Sequence, residues 1–142
     1  MGIGGIETGV RDIANYLNKK KIDNYILCES SNKNLKIKGL KIIKLDNLKF
    51  KNIFDQDKIK MQIQQLIRKK RINLVHISSR APAFFLINYI KNLNTKVVTS
   101  VHNKYDSKSF LKDWYNSFLL KGDAIIFNSN FVKKNIWEIF KW

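Results

Sequence analysis

Two side chains that could bind or activate a substrate follow stretches predicted to be β-strands. His102 ends the apolar run Lys96–His102, and Arg80 follows the run Leu74–Ser78. Where strands are parallel, ligands bind in the crevice beyond the strands' carboxyl ends, so both side chains are expected there. Arginine can hold a phosphate or carboxylate through its planar fork of donors. The alternatives are a histidine that only holds its own loop by hydrogen bonding and an arginine that is a solvent-exposed loop charge.

A glycine-rich segment, Gly2–Gly9, leads into the first predicted helix. Glycines allow backbone amides and a helix N-terminus to approach phosphate or sugar oxygens closely. The segment is not a Walker A sequence, which ends in Gly-Lys-Ser/Thr. It is not a dinucleotide-binding fingerprint either, because no strand precedes it and the glycine spacing differs. A flexible N-terminal tail explains the same composition equally well.

The elements that must position these residues alternate along the chain. Short apolar, β-branched runs separate longer amphipathic stretches, which predicts βαβ units: an α/β fold with a mostly parallel sheet and helices on both faces. Runs such as 97–101 and 124–127 are apolar at nearly every residue, as expected for strands covered on both faces. The predicted strands are Asn24–Glu29, Leu40–Leu45, Leu74–Ser78, Lys96–His102 and Ala124–Asn128.

Apolar residues at helical spacing predict the helices between these strands. Basic residues at the ends of the first two helices complement the helix dipole. Ser129 is expected to cap the last helix, and Pro82 to shape its loop and start the helix after it. The loops are short, so no linker is visible. The predicted helices are about Glu7–Lys19, Asp55–Lys70, Ala83–Lys91, Ser109–Leu120 and Asn130–Trp142.

Four short motifs occur along the chain in a fixed order. The first is Gly4–Gly9 with the helix start Arg11–Leu17, and the second is the strand and Ser-Arg-Ala-Pro loop of Leu74–Ala83. The third is the histidine turn of Val97–Tyr105, and the fourth runs through Tyr115–Phe131. Together they resemble the N-terminal half of glycosyltransferase family 4, the GT-B enzymes that include lipopolysaccharide-core transferases.

This resemblance implies a Rossmann-like acceptor-binding domain of a retaining, metal-independent glycosyltransferase. A nucleotide-sugar would be a co-substrate of the complete enzyme, and no cofactor is expected. The acceptor would be lipid-linked or lipopolysaccharide-like. The resemblance assigns His102 to catalysis, near the transferred sugar and the acceptor. It assigns acceptor binding to Gly4, Gly5, Thr8, Arg80, Asn103, Tyr105 and Ser129.

Two departures from the family pattern bear on activity. Only Met1-Gly2-Ile3 precedes the Gly-Gly segment, where the family has an apolar strand near the middle of its sheet. The chain also stops at Trp142, before the second domain that supplies the basic residues for the donor diphosphate and the Glu-x7-Glu motif. We therefore expect one domain over residues 1–142, lacking its first strand and its donor-binding partner domain. Such a chain is expected to be inactive alone and marginally stable.

Several candidate residues also have plain structural interpretations. Asn103 replaces the family's usual glycine, and asparagine tolerates a left-handed backbone. Tyr105 could form part of an acceptor-side wall or lie on a solvated face. His76, within an apolar strand, is interpreted as a hydrogen-bonded core or sheet-edge histidine, and Cys28 as a buried apolar residue. Aromatic residues beside lysines suggest a lipid interface, although most are expected in the core or under the second domain.

The formal net charge is +16, from 27 basic and 11 acidic residues. Such a charge suits a polyanion or an anionic membrane face, and the lysines of an AT-rich genome explain it equally well. One cysteine, no zinc-ligand spacing and no leader sequence favour the cytoplasm, with peripheral contact at the inner membrane face. Two other interpretations stay open: a basic, non-catalytic module that binds nucleic acid or membrane, and a truncated gene product.

Overall fold

Helices alternate with parallel strands in a computed structural model that describes residues 5–29, 39–46, 48, 55–106 and 109–140. The chain divides into two units, residues 1–55 and 56–142. Every strand pair in the part of the chain described is parallel. The predicted strand direction is therefore correct.

The first unit contains helix α1 (Gly5–Lys19) and strands β1 (Ile26–Glu29) and β2 (Ile42–Leu45). The two strands pair in register from Ile26 opposite Ile42 onward. Side-chain amides join the helix to the strands. Asn24 donates to Asn18 Oδ1 (2.8 Å), and Asn18 donates to the carbonyl of Gly39 (2.7 Å), shortly before β2.

The second unit begins with helix α2 (Gln56–Lys70). The elements after it are β3 (Leu74–Ile77), α3 (Arg80–Lys91), β4 (Lys96–Val101), α4 (Phe110–Ser117), β5 (Ala124–Phe127) and α5 (Asn130–Phe140). The three strands form one sheet in the order β3, β4, β5. Each strand is followed by a helix, which is the pattern of consecutive βα units. A 3₁₀ helix, Phe118–Lys121, continues α4 before the last strand.

Helices α1 and α2 end in the same way although they lie in different units. Lys21 and Arg71 adopt left-handed backbone angles, with φ of 58° and 52°. The next residue in each case, Ile22 or Ile72, donates its amide five residues back (2.9 Å in both). This is the hydrogen-bond pattern of a Schellman motif, which usually has glycine at the left-handed position. Neither helix end is therefore marked by a glycine in the sequence.

The core of the second unit depends on close contact between β4 and the segment before β5. Thr99 is fully buried, and its hydroxyl donates to the carbonyl of Leu119 (2.5 Å). Gly122 lies against it: a Cβ there would stand 2.9 Å from Thr99 Oγ1 and 2.8 Å from the carbonyl oxygen of Ala124. Only glycine fits this contact without displacing its neighbours. The backbone amide of Val97 binds Asp123 (2.8 Å) and lowers the pKa of that carboxyl.

Helix α3 packs against α4 through aromatic rings. Phe84 is the centre of this group, with ring centroids 4.8–5.2 Å from those of Trp114, Tyr115 and Phe118. Arg80 lies one turn before Phe84 on the same face of α3, because residues four apart share a helix face. The packing of Phe84 therefore holds the start of α3 close to α4.

The structure corrects several boundaries. Helix α1 starts at Gly5, so Gly5 is not part of a loop, and helix α3 starts at Arg80 instead of Ala83. Pro82 lies in the first turn of α3, where no intrahelical amide donor is needed. All five predicted strands are present, each one or two residues shorter than expected. Cys28 is buried, as predicted. The predicted Trp142 end of the last helix lies outside the described residues.

The described strands form a two-stranded parallel sheet in the first unit and a three-stranded parallel sheet in the second.

Candidate functional site

Three segments of the second unit meet at one edge of its sheet. Because β3, β4 and β5 are parallel and paired in register, their carboxyl ends lie on the same side. The residues that follow them are Ser78–Arg80, His102–Tyr105 and Asn128–Ser129. Ligand-binding sites of parallel sheets usually lie at this edge and contain polar side chains.

His102 directly follows β4 and is partly exposed. Its Nε2 atom is shielded from solvent and has no hydrogen-bond partner among the described residues. The carbonyl of His102 accepts a hydrogen bond from Asn128 Nδ2 (2.6 Å), so the loop contact predicted for this residue is made by its backbone. Nε2 keeps hydrogen-bonding capacity, and a ligand hydroxyl would reach it only after the ring turns.

His76 lies on β3, beside β4, and its ring Nε2 is 2.6 Å from the hydroxyl of Ser100. This contact confirms the prediction of a hydrogen-bonded histidine. Burial lowers the pKa of His76, and electrostatic interaction with nearby His102 lowers it further. A pKa below 6.5 leaves the His76 ring mostly neutral near pH 7.

Arg80 is exposed but held from two sides. Its Nη1 donates to Asn116 Oδ1 (3.2 Å), and its Cζ lies 5.7 Å from the centre of the Tyr105 ring. Asn116 and Tyr105 are both buried. The guanidinium has five N–H donors, so those not used by Asn116 can bind an oxyanion. Arg80 is thus an exposed cation, as in the alternative interpretation, but it lies at a helix start and is held by two buried side chains.

Tyr105 does not form an exposed wall. Only 4% of it is accessible, and burial raises the pKa of its phenol to about 12, although the Arg80 charge acts in the opposite direction. Its hydroxyl is shielded and has no hydrogen-bond partner in the part of the chain described. Tyr105 therefore supports Arg80 from below, and direct contact with a large acceptor would need its ring to move.

The remaining candidates differ in their surroundings. Ser129 caps α5, since its hydroxyl accepts from the amide of Val132 (3.2 Å), as predicted. Asn103 is exposed, and its φ is not positive, so its tolerance of a left-handed backbone is not used. Gly5 and Thr8 lie on α1 in the first unit. Gly4 is outside the described residues.

Over the described ranges, no group of three or more His, Cys, Asp or Glu side chains could hold a metal ion. The helices in those ranges are also too short or too polar for any of them to cross a bilayer.

Comparison with protein families identifies the family of this chain. The model of Glycosyltransferase Family 4 matches residues 3–141. The chain belongs to glycosyltransferase family 4. It is similar to a glycosyltransferase from Rickettsia africae ESF-5 of known crystal structure, with 31% identity and a TM-score of 0.78. The match covers 99% of this chain and 38% of the Rickettsia chain. Comparison with curated protein sequences gives no significant match.

The family and this structural match confirm the predicted α/β fold of a GT-B N-terminal domain. Three asparagines of this family 4 domain have structural roles that their sequence context does not indicate. Asn116 binds Arg80, Asn128 binds the His102 carbonyl, and Asn135 binds the backbone of Tyr105. No local pattern marks them, because an asparagine on a helix or loop is usually solvated. Only the packing of distant elements shows that these amides hold the site.

Proposed function

We propose that this family 4 domain is the acceptor-binding half of a retaining glycosyltransferase. The sugar would move from a nucleotide-sugar to a lipopolysaccharide- or glycolipid-like acceptor. The observation that carries the proposal is the meeting of Arg80 and the His102 turn at the carboxyl edge of β3–β5 in a chain of this family. The Rickettsia relative is itself named a glycosyltransferase.

In this proposal, the domain holds and orients the acceptor hydroxyl. Correct orientation of two reactants removes much of the entropic barrier to their reaction. The Nε2 of His102 has no partner among the described residues, and a turn of the ring would let it bind a sugar or acceptor hydroxyl. Arg80 pairs with a phosphate or carboxylate of the acceptor. The second domain of such an enzyme would bind the donor and stabilise the charge that develops on its diphosphate.

The first unit has its own candidate for acceptor contact, the start of helix α1. The backbone amides at the start of α1 have no intrahelical acceptors, so they can bind sugar or phosphate oxygens. Gly5 is exposed at this position, and a Cβ there would meet no atom within 4 Å. Gly4 and Thr8 would contribute to the same segment.

The proposed acceptor class also rests on charge. The +16 net charge supports an acceptor at an anionic membrane surface, and we propose a cytoplasmic enzyme that acts at the inner membrane face. On α4, Phe110, Leu111 and Trp114 are exposed large apolar residues, with Phe110 84% accessible. Apolar side chains of this kind suit a lipid interface.

The test is binding of a phosphorylated lipopolysaccharide-core oligosaccharide to the 142-residue chain, followed by NMR. We expect shifts at His102 and Arg80, and Arg80→Gln should weaken binding by roughly tenfold, or about 1.4 kcal/mol. Arg68→Gln makes the same charge change at an exposed position at the end of α2 and should have no such effect. Equal losses of affinity in the two variants would show that binding depends only on the net charge of the chain. We expect no sugar transfer by this chain alone.

The basic, non-catalytic module is the second candidate, favoured by the net charge. Salt-titrated binding to RNA, DNA and anionic liposomes separates the two. A nucleic-acid module should bind at roughly micromolar or better affinity with a steep salt dependence. We expect no specific nucleic-acid binding.

A truncated gene product is the remaining interpretation. Sequencing the DNA on both sides of the coding region tests it, because an in-frame segment that encodes a leading β-strand or a domain with a Glu-x7-Glu motif would support it.

A further inference from the structure

The backbone of the His102 turn leaves the sheet and needs other hydrogen-bond partners. Strand β4 ends at Val101, and residues 102–106 have no regular structure. Buried backbone amides and carbonyls are rarely left unpaired, because each lost hydrogen bond costs free energy. In this turn the partners come from side chains: Asn128 binds the carbonyl of His102, and Asn135 binds Tyr105.

Asn135 makes two hydrogen bonds to the same residue. Its Oδ1 accepts from the amide of Tyr105 (2.7 Å), and its Nδ2 donates to the carbonyl of Tyr105 (3.3 Å). A single side-chain amide thus reproduces the paired donor and acceptor of a neighbouring β-strand. Among side chains, only asparagine and glutamine offer a carbonyl oxygen and an NH₂ group together.

The helix that carries Asn135 is also anchored by other residues. Val132 and Ile136 of α5 are buried, and Ser129 caps its first turn. Asn135 itself is partly buried between these anchored positions. The amide therefore has a fixed origin, and its two bonds define where the turn lies relative to α5.

We propose that Asn135 is a positioning residue for His102: its side-chain amide clamps Tyr105 and so fixes the turn that presents the His102 ring. The value of this position for sugar transfer rests on the proposed function. The clamp itself is a property of the chain, and it can be measured without any substrate.

The same clamp supports the second candidate side chain. Tyr105 lies beneath Arg80, and its ring centroid is 6.2 Å from that of Phe140 on α5. Holding the Tyr105 backbone thus keeps the phenol ring buried between the guanidinium and the helix. Burial accounts for the raised pKa of this phenol, about 12.

Amide hydrogen exchange of the 142-residue chain tests the clamp. We expect the Tyr105 amide to be protected, and Asn135→Ala to lower its protection by about tenfold more than that of the β4 amides. The imidazole ¹⁵N signals of His102 should shift in the same variant. Asn130→Ala, at an exposed position of the same helix, should leave both measurements unchanged.

Asn135→Asp is the sharper variant and also serves if Asn135→Ala fails to fold. It keeps the shape and the acceptor for the Tyr105 amide but replaces the donor with a carboxylate against the Tyr105 carbonyl. We expect the Tyr105 amide to stay partly protected while the His102 signals move. An equal loss of protection at Tyr105 and throughout β4, or unchanged His102 signals in both variants, would overturn the proposal.

Failure of the proposed function has a different result. If the oligosaccharide does not bind but the exchange and ¹⁵N results are as expected, the clamp stands and the acceptor assignment fails. If the oligosaccharide binds at His102 equally well in the wild-type chain and in Asn135→Ala, the positioning role fails and the acceptor assignment stands.

Discussion

The candidate residues of the two units lie in contrasting surroundings. In the first unit, Gly5 and Gly9 of α1 have open space around them, since a Cβ at either would meet no atom within 4 Å. In the second unit, the His102 turn and Arg80 are held by buried amides and an aromatic ring. A glycine-rich motif and a histidine motif of one family thus differ in what their geometry demands. The first tolerates added atoms in this structure, and the second depends on exact partners.

The largest expected effect tests whether side chains are packed more tightly in the second unit than in the first. Ile87 on α3 is completely buried, whereas Ile13 on α1 is 42% exposed. Ile87→Ala should lower the free energy of unfolding by about 2–5 kcal/mol, because it leaves a cavity in the core. Ile13→Ala should change it by less than about 1 kcal/mol. Urea unfolding followed by circular dichroism measures both, and equal losses would contradict the comparison.

A matched pair of glycine substitutions should give opposite signs. Gly122→Ala places a Cβ 2.8 Å from the backbone oxygen of Ala124 and should destabilise the chain by about 1–3 kcal/mol. Gly9→Ala adds a methyl group in open space within a helix and should stabilise it by roughly 0.5–1 kcal/mol. Thermal melts of the two variants give the answer. Destabilisation by Gly9→Ala would show that α1 is more tightly packed than its open surroundings indicate.

The two histidines of the chain, His76 and His102, both lie in the second unit, so stability near pH 6 should depend on that unit. Burial lowers the folded-state pKa of His76 below 6.5. As the pH falls, the unfolded chain binds a proton first, so stability is full above about pH 6.5 and declines through the lower folded pKa.

Melting temperatures at about pH 7.5 and about pH 5.5 measure this decline. His76→Gln should flatten the difference. His102→Gln removes only the smaller, electrostatic contribution to the lowered pKa of His76, so most of the difference in melting temperature should remain. An unchanged pH dependence in His76→Gln would assign the decline to other groups.

The smallest expected effect concerns a feature that the two units share. Lys21 and Arg71 adopt a left-handed backbone conformation, which is unfavourable for residues other than glycine, at the ends of α1 and α2. Replacing either with glycine should raise stability by less than about 1 kcal/mol, because the relief of strain is partly offset by glycine's greater freedom when unfolded. Lys19→Gly, within α1, should lower stability by about as much. Chemical denaturation resolves these differences, and a loss in both Lys21→Gly and Arg71→Gly would exclude backbone strain.

Elements whose signal is local were predicted well. The five strands were recognised from apolar, β-branched runs, and the Ser129 cap from its position before a helical pattern. The predicted start of α3 is three residues late, because Pro82 is typical of a loop but also fits the first turn of a helix. The endings of α1 and α2 gave no signal, because lysine and arginine occupy positions where glycine is usual.

By itself, the sequence determined the α/β class, the parallel strand direction and the family, because each follows from patterns within short stretches of chain. It also determined that Arg80 and His102 follow neighbouring parallel strands. Only the tertiary structure decided that Tyr105 is buried under Arg80 and that Asn116, Asn128 and Asn135 hold the two candidate side chains. These partners are 26 to 36 residues apart in the chain, so their contacts depend on how whole elements pack.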